Sequence, residues 1–225
     1  MSGMLLAFIP KHVSERTVLR FFEFLRKTAV KRKKRTERNL RHNEDAITKY
    51  IEEIKNSGGF IEGQKSLTDL RYGRKSFDYC GCEIIALYNA LVSLKAKGRE
   101  SLPKLIAAFE KDGMVLSGKF GTSPRAIYDY LKKKGFDCTF FLGNRFDLKS
   151  LEKECDTYIL TVFNDRNNIK KQVHTIAVSK DEDGFIAHNV YGNGVAQGPF
   201  ANAEDMLGKI NKGRSKIICA IGIKK

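Results

Sequence analysis

The sequence predicts an α+β fold, with a helical half ahead of a mostly antiparallel sheet. Two observations carry this. Apolar residues recur at helical spacing up to about Lys134, whereas strand-like apolar runs gather after Thr139. Helices first and strands afterwards is an α+β order, not an alternating βαβ one. At 225 residues the chain can hold one packed domain plus an extension. The composition divides it into a basic helical extension over 1–59 and a main domain over 60–225.

In the extension, Val18, Leu19, Phe21, Phe22, Phe24 and Leu25 form an apolar helical stripe. A second helix is expected over 43–56, with Asn43 as N-cap and Ile47, Ile51 and Ile54 at helical spacing. Ser57-Gly58-Gly59 closes it as a helix C-cap, a reading favoured over a double-glycine cleavage site. The basic run Lys31-Arg32-Lys33-Lys34-Arg35 between them is either helix continuation or linker.

In the main domain a loop rich in Gly, Arg and Lys leads into a helix starting at Cys82 and stopping at Lys97-Gly98. That helix is apolar nearly all round and is therefore central. Further helices are expected over 102–112, with Pro103 in the first turn, and over 125–134, capped by Gly121-Thr122-Ser123-Pro124. A strand over 139–142, a helix over 147–155 and strands over 158–163, 172–179, 185–191 and 217–223 complete the reading.

The formal charge of +15 concentrates between Lys11 and Arg41. It marks either a solvated basic face or an anionic partner, nucleic acid or an acidic surface, met through residues 11–41. A hydrophobic fraction of 42% and only four prolines exclude wholesale disorder. Five cysteines, an odd count, show no disulfide framework, and Cys138, Cys155 and Cys219 read as core thiols. Met4 to Ile9 is too short for a secretory signal, and no run is long enough to span a bilayer. A reducing, cytoplasmic setting is the expectation.

Chemistry points to Cys80-Gly81-Cys82. A thiol at a helix N-terminus meets partial positive charge and unpaired N–H groups, which favour its ionisation. Cys82 directly precedes the apolar run and is the expected nucleophile, with Cys80 the alternative. Downstream, a turn at Asp183-Gly184 that pairs Lys180 with Phe185 sets His174 opposite Tyr191 and Asn189 opposite Ile176. His174 and Asn189 then share one face as diagonal neighbours, and a slip of one residue would separate them. Cysteine, histidine and asparagine in that order are the parts of a thiol acyl-transfer site. His188 reads as structural, and His12 and His42 have no obvious partner.

The order Cys80-Gly81-Cys82 and helix, then Gly121-Thr122-Ser123-Pro124-Arg125, then His174-Thr175-Ile176-Ala177-Val178, then the strand with Asn189, resembles papain-like cysteine peptidases. It is most similar to the leader peptidase domains that trim double-glycine bacteriocin precursors, and the resemblance runs from about Leu70 to the C-terminus. It implies a helical half whose central helix carries the nucleophile and packs on the sheet. It also implies hydrolysis of a peptide bond through Cys82, His174 as base and acid, Asn189 as orienting group, and a thioester. The implied partner is a peptide or protein substrate, with no metal or organic cofactor. In the leader peptidases the cysteine precedes the glycine, which points to Cys80, and aspartate stands in place of Asn189. The glutamine expected a few residues before the nucleophile is missing, and Gln64 is the nearest. A silent module of the same fold, binding a peptide or protein, is the second expectation.

Overall fold

Amphipathic periodicity and turn chemistry place nine helices and eight strands in the computed structural model, counted among the described residues 14–27, 33–143, 148–165, 167, 173–190 and 194–225. Met4 to Ile9, His12, Lys31, Arg32 and Tyr191 lie outside these.

Helix α1 spans Glu15–Lys27, with the Ser14 hydroxyl accepting the Thr17 amide as N-cap at 3.2 Å. Phe22 and Leu25 bury its stripe against Val115. Arg26 fastens the helix to the main domain through Asp129 at 2.9 Å and Asp112 at 3.3 Å. Helix α2 runs over Lys33–Ala46, so the described part of the basic run is helical. Asn43 is an interior residue of α2 and not an N-cap. Its amide pairs with the main chain of Arg71 in both directions, at 2.9 and 2.8 Å, and that long-range bond replaces capping. A 3-10 turn and α3, Ile51–Asn56, follow, and Gly58 and Gly59 at positive φ end the segment. Ala46 and Tyr50 join the main core.

A hairpin of β1, Arg71–Tyr72, and β2, Lys75–Ser76, precedes the short α4, Phe77–Cys80. Helix α5, Cys82–Ser93, is the centre of the molecule, with every residue from Cys82 to Leu91 buried. Burying such aliphatic side chains is worth about 1.5–3 kcal/mol each. Helix α6, Leu102–Lys111, carries Pro103 in its first turn, and α7 covers Pro124–Lys133. Ser123 stands at the N-cap of α7 without capping it, because its hydroxyl donates to Glu23 of α1.

The sheet orders β3 (Cys138–Leu142), β8 (Lys216–Ile223), β4 (Thr157–Phe163), β5 (Val173–Asp181), β6 (Gly184–His188) and β7 (Gln197–Phe200), every pair antiparallel. Alternation along the strands divides two cores. Ile159, Ala177 and Ile221 face α5 and its neighbours, while Leu160, Ile176, Val178 and Ala220 face the cover formed with α8, Leu148–Glu154, and α9, Ala203–Lys209. Helices, sheet and a thinner helical cover make the expected α+β arrangement. Strand β7 and α9 are absent from the sequence reading, since Gly198 and Pro199 mask the first and α9 has only seven residues. Among the described residues, no helix is long and apolar enough to cross a membrane.

Candidate active site

Gly81 stands between α4 and α5, and an added Cβ there would lie 2.7 Å from Phe77, so the backbone makes this sharp passage only without a side chain. Cys82 follows as the first residue of α5, and Ile85 closes the first turn onto the Gly81 carbonyl at 2.9 Å. Cys82 is buried, only 7% exposed as a residue. It donates to Glu83 Oε2 at 3.3 Å, and the main chain of Thr175, the residue after His174, favours its ionised form. The central helix therefore delivers its thiol to β5 beside His174.

The electrostatics run against a resting thiolate. Burial, then the charge and hydrogen bond of Glu83, push the Cys82 thiol well above its ordinary range, and the Thr175 amide offsets this only in part. Glu83 is itself buried, and loss of water lifts its carboxyl to about 7 despite the amides of Glu83 and Thr122. Gly121 makes room for it, since a Cβ at that position would lie 2.7 Å from Glu83 Oε2. Cys80 bonds the Ser76 carbonyl within its own helical turn at 3.3 Å, and burial raises its thiol as well. All five cysteines are buried and free of disulfides.

His174 Nε2 lies 2.7 Å from the main-chain carbonyl of Asn189. A carbonyl only accepts, so Nε2 carries the hydrogen, and burial lowers the ring's pKa and keeps it neutral. Nδ1 is then the basic nitrogen. Asn189 meets the imidazole through its backbone, whereas the expectation was its side-chain amide. The reason is a left-handed residue at the end of β6, with φ +56 at Asn189. The register up to that point is the expected one, Lys180 opposite Phe185 through Ala177 opposite His188, but pairing stops there. The expected partner of His174, Tyr191, lies outside the described residues.

The Asn189 side chain turns to Gln64. Its Oδ1 accepts the Gln64 amide at 3.2 Å, and its Nδ2 donates to Gln64 Oε1 at 3.3 Å. Gln64 Nε2 in turn donates to the Asp78 carbonyl, four residues before Cys82, at 2.8 Å. The distant glutamine of the sequence reading is thus folded back between Asn189 and the approach to the thiol.

A strap over residues 60–64 achieves this, and the sequence reading missed it. Asn89, a lone amide inside an otherwise apolar helix, holds Ile61 by both of its atoms at 2.8 Å. Glu62 next to it accepts His188 Nδ1 at 2.6 Å and the Asn189 amide at 2.7 Å. His188 Nε2 lies 2.8 Å from Ser179 Oγ, and Phe60 stacks on the ring at 4.0 Å. A buried asparagine on an apolar helix was the one available signal. No protein-family model matches this chain, and no curated protein does. The site accordingly stands on its geometry. Hydrogen bonds link His174, Asn189 and Gln64 in series, and the Cys82 thiol donates to Glu83. Among the described residues, no three His, Cys, Asp or Glu side chains group to hold a metal ion.

Proposed function

We propose that this protein hydrolyses a peptide or other amide bond with Cys82 as nucleophile, in a papain-like site. The observation that supports this best is the packing of α5, which begins with Cys82, on β5, which carries His174 held by the Asn189 carbonyl at 2.7 Å. In the reaction His174 Nδ1 takes the thiol proton and the sulfur bonds to the amide carbonyl carbon. The C–N bond breaks as His174 returns the proton to the leaving amine. Water, deprotonated by the same ring, then cleaves the thioester and restores the thiol. First-turn amides of α5, unpaired within the helix, supply donors for the oxyanion.

A second reading, a catalytically silent module that binds a peptide or protein, is favoured by the protonated thiol pointing at Glu83 instead of the imidazole. Iodoacetamide labelling followed by peptide mass spectrometry separates the two. The hydrolase reading expects Cys82 to label faster than the other four cysteines, with a pH profile that changes in His174→Ala. It also expects peptide cleavage to vanish in Cys82→Ala and to persist in Cys80→Ala. Labelling of Cys82 no faster than of Cys80 and indifferent to His174→Ala would leave the binding module. Cleavage lost only in Cys80→Ala would move the nucleophile to Cys80.

A further inference from the structure

The hairpin β1–β2 and the helix α2 wall a cavity of about 610 Å³ whose lining includes Arg35, Arg38, Arg71, Arg74 and Lys75. Among the described residues, no Asp or Glu lines it. Arg38, Arg71, Arg74 and Lys75 form no ion pair with any described residue. Like charges gathered round one cavity repel each other, more strongly where water is thin. The fold nevertheless holds them there on a rigid frame.

That frame is built from buried bonds. Glu110 Oε1 accepts both the Gly73 amide and Asn39 Nδ2 at 2.6 Å, and Asn39 also donates to the Gly73 carbonyl at 3.0 Å. The Arg74 amide donates to the Ser117 carbonyl at 3.1 Å. Asn43 brackets the main chain of Arg71 from α2. Gly73 turns at φ +64 so close to Ser117 that a Cβ would lie 2.4 Å from its carbonyl oxygen. With the main chain of the hairpin fixed, only the exposed side chains are left to be ordered when an anion arrives, which favours binding.

We propose that this cavity binds a polyphosphate chain. Guanidinium forks match phosphate oxygens two at a time, and arginine supplies four of the five cations among the described lining residues. The volume falls within the range of about 300–1,000 Å³ typical of small-ligand sites. Among the described residues, no aromatic side chain lines the cavity to stack a base, which favours phosphates over bases as what it reads. The chain of phosphates is either a free polyphosphate or the backbone of a nucleic acid. The proposal stands independently of the thiol chemistry.

Calorimetric titration of the full protein with sodium tripolyphosphate tests it, with Arg71→Glu/Arg74→Glu as the variant and Lys132→Glu/Lys133→Glu on α7 as a charge-matched control. The expected result is saturable binding that weakens with salt and drops at least about 100-fold, about 2.7 kcal/mol, in the arginine variant. The control stays within about twofold of the parent. Arg71→Gln/Arg74→Gln, which removes charge without reversing it, should fall between them if the arginine variant is folded by circular dichroism. A short oligothymidylate assigns the source: comparable affinity for tripolyphosphate supports a free chain, and oligonucleotide binding alone, with the same arginine dependence, supports a backbone. Absent saturable binding to either, equal weakening in the control, or tighter binding of polyglutamate overturns the proposal.

Discussion

Glu83 is the residue on which the thiol's state turns. A carboxylate in the first turn of a helix is ordinarily favoured by the unpaired amides there. Burial outweighs them and lifts the group from 4.5 to about 7. The folded protein therefore holds a proton on Glu83 through a range where the unfolded chain has released it. A carboxyl raised on folding adds a stabilising term that is greatest below its unfolded pKa and is lost as pH rises through the folded one. At about 1.36 kcal/mol per unit, roughly 3 kcal/mol should disappear between about pH 4.5 and 7. Urea unfolding of the parent and of E83Q at pH 5 and pH 8 checks this. The parent should lose more stability than E83Q across that interval, and parallel losses would refute the assignment. The same substitution removes the negative charge that raises Cys82. Iodoacetamide should then label Cys82 several-fold faster at pH 8 in E83Q than in the parent, and an unchanged rate would show that burial alone holds the thiol protonated.

Elements divide into those whose partners are near in sequence and those whose partners are not. The β5–β6 register was legible, because Asp183-Gly184 fixes the turn and the apolar alternation fixes the face. The central helix was legible from its unbroken apolar run. The orientation of Asn189 was not, because what turns it is Glu62, 127 residues away, through its amide and through His188. Strap and β6 end thus form one unit: Asn89 holds Ile61, Glu62 holds the end of β6, and Gln64 receives the Asn189 side chain. Glu62→Ala leaves a buried imidazole and a buried amide without their acceptor. It should cost about 3 kcal/mol in denaturant unfolding, in line with breaking a buried pair. A loss below about 1 kcal/mol would mean that water or a neighbour replaces the carboxylate and that the strap is held mainly by Asn89.

At the scale of the whole molecule, the composition that marks residues 1–59 as an extension does not mark where the core ends. Charge is a property of the outer faces of α1 and α2, and the inner faces are built into the main domain. Ala46 and Tyr50 share a cluster with Leu87 and Leu91 of α5. Asn39 and Asn43 of α2 bond Glu110 Oε1 and the main chain of Arg71, and Arg26 of α1 spans to Asp112 and Asp129. A chain that began at Phe60 would expose this apolar surface and strand buried polar groups, each worth about 1–3 kcal/mol when unsatisfied. Natural domains of this kind are stable by only about 5–15 kcal/mol in total. The truncated protein should therefore lack a cooperative thermal transition and bind dyes specific for exposed apolar surface, while the full chain melts in one step. A sharp melt for residues 60–225, near that of the full chain, would show instead that α1 to α3 are docked onto an independently stable domain.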